Sequence, residues 1–316
     1  MKIKVLDVDT MGRDINFGIL KELGEVELVG FTSADAVIST IGDANVIIIN
    51  KIMITKEVLD ACPSLRLICV FATGYDNVDI KSARERGVAV CNVPAYSTDS
   101  VMLFCVTAVL SLISHMNEYR GFVSSGKYTA LGMPNAITPV FHEIKGLTWG
   151  IVGYGNIGRR VGEVARVLGA NVIVNKRTRA EDIECVDIDE LIERADIITL
   201  NCPLNENTRG LISRERISKM KKNAILVNVA RGAVTDEEAV ADAILDGTIA
   251  GFATDVYSKE PFDKTSPMMR LLGCDNVILT PHAAWAAYEA RSRCLEIIFS
   301  NIKAFGEGKI QNRVDI

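Results

Sequence analysis

Residues 150–178 read GIVGYGNIGRRVGEVARVLGANVIVNKRT, and this stretch decides the fold. A β-branched run comes first, and three glycines with the spacing GxGxxG follow it, namely Gly153, Gly155 and Gly158. A helical stretch and a second β-branched run complete the segment. A strand before the glycines and a helix after them are the context in which this motif binds a dinucleotide. The segment therefore predicts a strand–turn–helix–strand unit, and a purely structural turn is the weaker alternative.

Each glycine of this turn has its own predicted role. Gly153 permits the tight turn, Gly155 lets a pyrophosphate approach the backbone, and Gly158 lets the helix pack on the sheet. The amides of Asn156 and Ile157 are expected to point at phosphate from the N-terminus of the helix.

The second run ends on a basic pair, where an acid is usual. Lys176 follows Gly158 by 18 residues (176 − 158), and an acid near this position would bind the ribose 2′-hydroxyl of NAD and repel a 2′-phosphate. Lys176 and Arg177 instead favour a phosphate, and Thr178 adds a hydroxyl donor. The hypothesis is a preference for NADP(H), with NAD(H) possible, and the alternative is a solvated strand end that happens to be basic.

Length and composition exclude several classes of protein. The chain has 316 residues, which suggests about two domains, and its hydrophobic content of 48% allows large cores. A net charge of −5 argues against nucleic acid or anionic membrane as a partner. The eight cysteines form no CxxC pair and the three histidines have no zinc spacing, so we expect reduced thiols, no metal and a cytoplasmic location.

Short β-branched runs alternate with helical stretches in two blocks, before residue 97 and after residue 148. This alternation predicts an α/β fold with two doubly wound parallel-sheet domains. Residues 16–24 (NFGILKELG) are predicted to form a short helix, and residues 128–143 a loop. The run from Val101 to Ile113 is apolar on nearly every side and too short to span a bilayer. We therefore expect a helix buried between domains or subunits.

Three further segments carry residues suited to acid–base chemistry and anion binding. LVNVARGAVTDEEAV (226–240) contains Arg231, ATDVYSKEP (253–261) contains Asp255 and Glu260, and LTPHAAW (279–285) contains His282. Each follows a predicted strand, and open parallel sheets present ligand-binding residues at the carboxyl ends of their strands.

With GYGNIG (153–158), these segments resemble the D-isomer-specific 2-hydroxyacid dehydrogenases. INK (49–51), ATGYDNVD (72–79), NVPAYSTDSV (92–101) and NCPLNENTRGLI (201–212) extend the resemblance over nearly the whole chain. It is nearest to glycerate dehydrogenases and hydroxypyruvate or glyoxylate reductases. The resemblance implies an oxidoreductase that reduces a small 2-oxo acid to the D-2-hydroxy acid with NADPH.

The resemblance also implies roles for individual residues. His282 would be the general acid, Glu260 would fix its tautomer, and Arg231 would bind the substrate. Further substrate contacts would come from Lys51, Gly74 and Tyr75, together with Arg231 and His282. The implied cofactor contacts are Gly153, Tyr154, Gly155, Asn156, Ile157, Gly158, Lys176, Arg177, Thr178, Cys202, Pro203, Val229, Ala230, Asp255 and Ala284, with Asp255 at the nicotinamide carboxamide.

The implied architecture is a discontinuous, flavodoxin-like substrate domain (residues 1–97 and 288–316) and a Rossmann nucleotide-binding domain (residues 98–287). A cleft closing over substrate and cofactor, and a homodimer formed through the apolar helix, are further expectations. Two positions depart from the family pattern: Leu103 and Phe104 replace the acid or amide and the histidine of SVAEH or SVAQH, and Asn201 replaces a frequent histidine.

Two alternative functions and three single residues complete the expectations. A dinucleotide-sensing co-repressor of the same fold is one alternative. A short-chain reductase is excluded because none of the seven tyrosines has a lysine four residues later. His115 is expected to pack or cap a helix, His142 to lie at the surface, and Trp285 either to line the active site or to belong to a core.

Overall fold

The computed structural model describes residues 1–178 and 182–316, which form two compact units. One unit comprises Met1–Ser97 and Trp285–Ile316, and the other comprises Thr98–Ala284. We call them the discontinuous unit and the continuous unit. The chain leaves the discontinuous unit after residue 97 and returns to it after residue 284. The sequence analysis expects these boundaries after residues 97 and 287.

The discontinuous unit is built on a five-stranded parallel sheet with the strand order β2-β1-β3-β4-β5. This is the flavodoxin order. The strands are β1 (Lys2–Val5), β2 (Glu25–Leu28), β3 (Val46–Ile49), β4 (Leu67–Val70) and β5 (Ala89–Cys91). The helices are α1 (Val8–Met11), α2 (Val37–Ile41), α3 (Lys56–Ala61), α4 (Ile80–Glu85) and α12 (Tyr288–Gly306), with short 3₁₀ helices at Phe17–Glu22 and Ala34–Ala36.

Both faces of this sheet are covered, because its central strands are apolar at every position. In β3, Val46 and Ile48 pack into one hydrophobic layer and Ile47 and Ile49 into the other. The first layer is closed by α12, whose Ala290, Cys294, Leu295, Ile298 and Ile302 are buried there. Without α12, this face of the sheet would be covered only in part, by residues such as Met11, Phe17 and Leu20.

The continuous unit contains a seven-stranded parallel sheet with the order β12-β11-β10-β9-β6-β7-β8. Its strands are β6 (Thr148–Val152), β7 (Asn171–Asn175), β8 (Glu184–Cys185), β9 (Ile197–Leu200), β10 (Ile225–Asn228), β11 (Gly251–Thr254) and β12 (Val277–Leu279). Its helices are α5 (Thr98–Ile113), α6 (Met116–Ser124), α7 (Lys127–Leu131), α8 (Asn156–Val167), α9 (Ile188–Arg194), α10 (Arg214–Ser218) and α11 (Glu237–Leu245), with 3₁₀ helices at Gly232–Val234 and Pro267–Leu271. Counted within the unit, the order is 7-6-5-4-1-2-3, which is the Rossmann order with one added strand. The predicted fold class is confirmed.

The structure corrects two local predictions. Residues 128–131 are helical in α7, although the whole of 128–143 was predicted to be a loop. The predicted helix at residues 16–24 is a 3₁₀ helix at Phe17–Glu22. On the single chain, Leu103, Thr107 and Leu110 form an exposed stripe on helix α5, and the expected burial between subunits stays a prediction. The two-residue strand β8 has too few residues to leave an alternating pattern in the sequence.

The structure also shows the surroundings of His115, His142 and Trp285. His115 precedes α6, and its Nδ1 lies 2.7 Å from Glu118 Oε1, whereas His142 is exposed. Trp285 packs edge-on against Phe71 and Tyr96 in the core of the discontinuous unit, at ring-centroid distances of 6.3 and 6.4 Å. The core interpretation of Trp285 is therefore the better one.

Candidate active site

The glycine turn between β6 and α8 has three glycines in three different environments. Gly153 has a φ of +91°, and a Cβ there would lie 2.6 Å from the Cys202 amide nitrogen. A Cβ on Gly158 would overlap the Gly153 carbonyl oxygen, whereas a Cβ on Gly155 would meet nothing within 4 Å. The turn is thus closely packed at its two ends and open in the middle, where α8 begins at Asn156. A pyrophosphate fits such an opening at a helix N-terminus.

The basic pair lies beside this turn. Strand β7 pairs with β6 so that Asn175 is opposite Val152, and the Gly153 amide donates to the Asn175 carbonyl oxygen at 2.9 Å. Lys176 is half-buried, and Arg177 and Thr178 are exposed. No hydrogen bond or ion pair joins the Lys176 or Arg177 side chain to another residue of the described ranges. Within those ranges, both cations are available to an anion.

His282 and Glu260 form a close pair. Nδ1 of His282 lies 2.6 Å from Glu260 Oε2, and the two side chains are 22% and 30% exposed. Glu260 Oε1 accepts a hydrogen bond from the Tyr257 amide at 3.0 Å, which orients the carboxylate. Because an ionised carboxylate only accepts, Nδ1 is the protonated nitrogen of the ring.

The turn that presents His282 is strained and closely supported. His282 has a φ of +55°, a left-handed conformation that costs a residue other than glycine about 1–2 kcal/mol. Asp255 accepts hydrogen bonds at 2.8 Å from the amides of both Ala283 and Ala284, and at 2.7 Å from the Thr280 hydroxyl. The buried Asp255 carboxylate therefore fixes the backbone on the C-terminal side of His282.

Tyr257 supports the other side of the same turn. Its hydroxyl donates to the Thr280 carbonyl oxygen at 2.8 Å. Burial raises the pKa of Tyr257 to about 12, so the hydroxyl keeps its proton at any physiological pH. The sequence analysis missed this role of Tyr257 and the turn-binding role of Asp255. Neither contact has a sequence signal, since each joins residues more than 20 positions apart.

Arg231 follows β10 and is brought towards the same loop by Gly232. The Arg231 guanidinium donates to the Ala230 carbonyl oxygen at 2.9 Å, and Asn228 Nδ2 donates to the Arg231 carbonyl oxygen at 2.9 Å. A Cβ on Gly232 would overlap the backbone at Tyr257 and Ser258. Glycine is required here because the backbone that carries Arg231 contacts the backbone that orients Glu260.

The end of β9 contains one of the departures from the family pattern. Both amide atoms of Asn201 are buried without a hydrogen-bond partner in the part of the chain that the structure describes. Cys202 is buried as well, and burial raises the pKa of its thiol to about 11. Pro203 and Leu204 continue the chain towards the surface. Cys202 is therefore a packing residue under the glycine turn and not a reactive thiol.

The predicted substrate contacts Lys51, Gly74 and Tyr75 belong to the discontinuous unit. Lys51 directly follows the end of β3, and its amide donates to Asp7 Oδ2 at 2.8 Å. Gly74 and Tyr75 lie in the loop after β4, and the Tyr75 carbonyl oxygen accepts from the Val78 amide at 3.0 Å. All three are at the carboxyl edge of their own sheet, as Arg231, Glu260 and His282 are at the edge of the other sheet.

Comparisons with known proteins identify the family of the chain. Residues 106–284 match the NAD-binding domain model of the D-isomer specific 2-hydroxyacid dehydrogenases. The chain is 36% identical to a hydroxypyruvate reductase of Blautia hydrogenotrophica over 324 aligned positions, which cover 100% of both chains. It is also 36% identical to a glyoxylate reductase of Korarchaeum cryptofilum over 263 positions, which cover 81% of this chain and 78% of that one.

A solved structure extends the comparison to three dimensions. An acyclic imino acid reductase in complex with NADPH and D-Arg has a TM-score of 0.86 and 28% sequence identity, with 99% of this chain and 100% of that chain covered. The predicted family is confirmed, and with it the prediction of an enzyme. The chain is a member of the D-isomer-specific 2-hydroxyacid dehydrogenases, an NAD-dependent family of oxidoreductases.

Proposed function

We propose that this enzyme reduces a small 2-oxo acid of the hydroxypyruvate or glyoxylate kind to the D-2-hydroxy acid, with NADPH as the preferred reductant. The continuous unit would be the nucleotide-binding domain and the discontinuous unit the substrate domain. The observation that carries the proposal is the 2.6 Å contact between His282 Nδ1 and Glu260 Oε2. The names of the relatives from Blautia and Korarchaeum support this substrate class.

The chain's own residues supply binding, orientation and a proton. When bound, the reduced nicotinamide supplies the hydride. His282 donates a proton from Nε2 to the substrate carbonyl oxygen, and Glu260 stabilises the charged ring before the transfer. Arg231 binds the substrate carboxylate and polarises the carbonyl group. Lys51 and the backbone at Gly74 and Tyr75 are the proposed contacts from the discontinuous unit.

The glycine turn suits a dinucleotide, since it is open only at Gly155 and α8 begins directly after it. The proposed cofactor contacts are those implied by the resemblance. One of these proposed contacts is Asp255, whose carboxylate already accepts hydrogen bonds from the Ala283 and Ala284 amides. An amide of the cofactor would be an additional donor to the same carboxylate. The preference for NADPH rests on Lys176 and Arg177, which have no carboxylate partner among the described residues, and a structural relative binds NADPH.

The cofactor preference predicts the effect of removing the basic pair. The double variant Lys176→Ala/Arg177→Ala should lower kcat/KM for NADPH about 100-fold, because two charged contacts to the 2′-phosphate are lost. Its kcat/KM for NADH should stay within about threefold of the wild type, since NADH has no 2′-phosphate. Lys264→Ala, which removes an exposed cation after β11, is the matched control. Equal or better kcat/KM of the wild type with NADH would contradict the preference.

A screen of 2-oxo acids tests the proposed activity. Purified protein is mixed with NADPH or NADH and with glyoxylate, hydroxypyruvate, pyruvate or bulkier 2-oxo acids, and cofactor oxidation is followed by absorbance. We expect the two smallest substrates to give the highest kcat/KM. Binding of NADPH without oxidation by any 2-oxo acid would instead support the dinucleotide-sensing alternative.

We also propose a homodimer and a cytoplasmic location. The exposed stripe on α5 is followed along the chain by further exposed apolar residues, including Met116, Val123, Ile137, Val140 and Phe141. Exposed apolar residues in this number favour an interface with a second copy, and a monomeric mass in sedimentation equilibrium would contradict it. The proposed cytoplasmic location rests on the cysteines, all eight of which are unpaired thiols.

No single helix in the described ranges is long and apolar enough to cross a membrane. Only the bent pair of α5 and α6 reaches the required length and composition, when the two helices are taken together.

A further inference from the structure

Asp7 is a buried carboxylate that the proposed reaction does not use. It follows β1 at the carboxyl edge of the five-stranded sheet and is 2% exposed. Burial raises the pKa of Asp7 above its ordinary value, and hydrogen bonds from the Lys51 and Asn50 amides oppose that shift only in part. A raised pKa means that this group adds stability at low pH, which is lost as the pH rises through the folded-state pKa. At neutral pH its charge therefore costs folding free energy.

The Asp7 carboxylate accepts hydrogen bonds from the end of the neighbouring strand β3 and from α1. The Asn50 amide donates to Oδ1 at 3.0 Å and the Lys51 amide to Oδ2 at 2.8 Å. The Thr10 hydroxyl lies 2.9 Å from the Asp7 carbonyl oxygen and 3.1 Å from Oδ2, so the two oxygens share its proton, and it accepts from Asn50 Nδ2 at 3.1 Å. The two peptide groups that flank Asn50 are thus bound by a single carboxylate, and the second of them also precedes the Cα of Lys51.

The same edge of the sheet is linked onward to the Gly74–Tyr75 loop. Asn77 lies in that loop, and its Nδ2 donates to the Ile52 carbonyl oxygen at 2.8 Å and to the Asn50 carbonyl oxygen at 3.3 Å. On the far flank, Asn92 Nδ2 donates to the Thr73 carbonyl oxygen at 2.8 Å. Side-chain-to-backbone hydrogen bonds therefore connect the ends of β1, β3, β4 and β5 in sequence, with Asp7 at one end.

We propose that Asp7 is a positioning residue for substrate binding, which fixes the backbone at residues 50 and 51 and thereby the direction of Lys51. The inference rests on the proposed function, in which Lys51 and the Gly74–Tyr75 loop bind the 2-oxo acid. Asp7 acts through that backbone and is not assigned a contact with substrate or cofactor. Its role explains why a carboxylate is retained where its charge is unfavourable for folding.

The variant Asp7→Asn tests this inference, because asparagine keeps the shape but offers one acceptor oxygen and places an NH₂ group against a backbone amide. We expect the KM for the 2-oxo acid to rise about tenfold, while kcat stays within about threefold of the wild type. This is the pattern for the loss of substrate binding that is equal in the ground state and the transition state. The Kd for NADPH should be unchanged. The Tm should change by less than about 3 °C, since the loss of hydrogen bonds is offset by the loss of a buried charge. In hydrogen exchange, the amides of residues 50 and 51 should exchange faster.

The matched control is Asp9→Asn. Asp9 is an exposed carboxylate that forms an ion pair with Arg13, and the variant should behave as the wild type.

A second variant keeps the inference testable if Asp7→Asn does not fold. Thr10→Val removes one hydroxyl from the same network and should raise the same KM about threefold, the size of one neutral hydrogen bond. An unchanged KM in whichever variant folds, or unchanged exchange at residues 50 and 51, would overturn the inference. A wild type that reduces no 2-oxo acid would instead overturn the proposed function, and the exchange at residues 50 and 51 would then decide by itself whether Asp7 fixes this backbone.

Discussion

Replacing His282 with asparagine should lower kcat/KM for the 2-oxo acid by about 10³-fold, within the range of 10²–10⁴ that a general acid contributes. Asparagine cannot donate a proton to the carbonyl oxygen in the transition state, although its amide can still accept or donate hydrogen bonds. The effect should lie mainly in kcat. Binding of NADPH, measured by fluorescence titration, should be unchanged because the glycine turn and the basic pair are untouched.

The chain provides a matched control for this variant. His115 also pairs with a glutamate, since its Nδ1 lies 2.7 Å from Glu118 Oε1, but it lies at the start of α6 and outside the proposed site. His115→Asn should therefore keep wild-type kcat/KM while losing the same kind of ion pair. A rate for His282→Asn within about threefold of the wild type would rule out His282 as the acid.

Gly232→Ala should also abolish most of the activity, for a steric reason. The added Cβ would overlap the Tyr257 carbonyl carbon and the Ser258 amide nitrogen. Both are backbone atoms, so no side-chain rotation relieves the overlap, and either the Arg231 segment or the Tyr257–Glu260 segment must move. A displacement of about 1 Å at a reacting group costs about 10²-fold in rate, and Arg231 and the His282–Glu260 pair would both be affected. We expect kcat/KM to fall by at least about 10²-fold.

The same substitution should lower the Tm. Overpacking of this kind costs about 1–3 kcal/mol, which corresponds to about 2–10 °C for a chain of this size. Gly121→Ala is the matched control, because a Cβ there meets nothing within 4 Å and the residue lies within α6. Alanine favours a helix by about 1 kcal/mol relative to glycine, so the control should be as stable as the wild type or more so. Wild-type activity and Tm in Gly232→Ala would mean that the two backbones are not in contact.

The sequence predicted that the proposed catalytic residues stand at strand ends, but it did not predict the contacts that position them. Arg231, Glu260 and His282 stand in recognisable motifs at strand ends, and a parallel sheet brings strand ends to one edge whatever the details of the loops. The supporting contacts of Asp255 and Tyr257 were not predicted. They depend on where the backbone amides and carbonyl groups of a distant turn lie, and a sequence pattern does not contain that information.

The errors in the fold prediction have a similar origin. Apolar residues predict burial, but the sequence does not state against what, and the Leu103–Leu110 stripe of α5 is exposed on the single chain. The sequence alone gives no sign that Asp7 is buried. Its burial follows from the neighbouring loops after β3, and only the assembled sheet reveals it.

Helix α12 has a consequence for the order of events during synthesis. It closes one layer of the discontinuous unit's core, although it is made 197 residues after β5 (288 − 91 = 197). At about 5–20 residues per second, the sheet formed by β1 to β5 emerges from the ribosome at least about 10 seconds before its covering helix. During that interval the apolar face of the nascent sheet is exposed, whereas the continuous unit can complete its own core first. We therefore expect the continuous unit to fold first. Until α12 has been made, the nascent sheet of β1 to β5 is expected to bind chaperones.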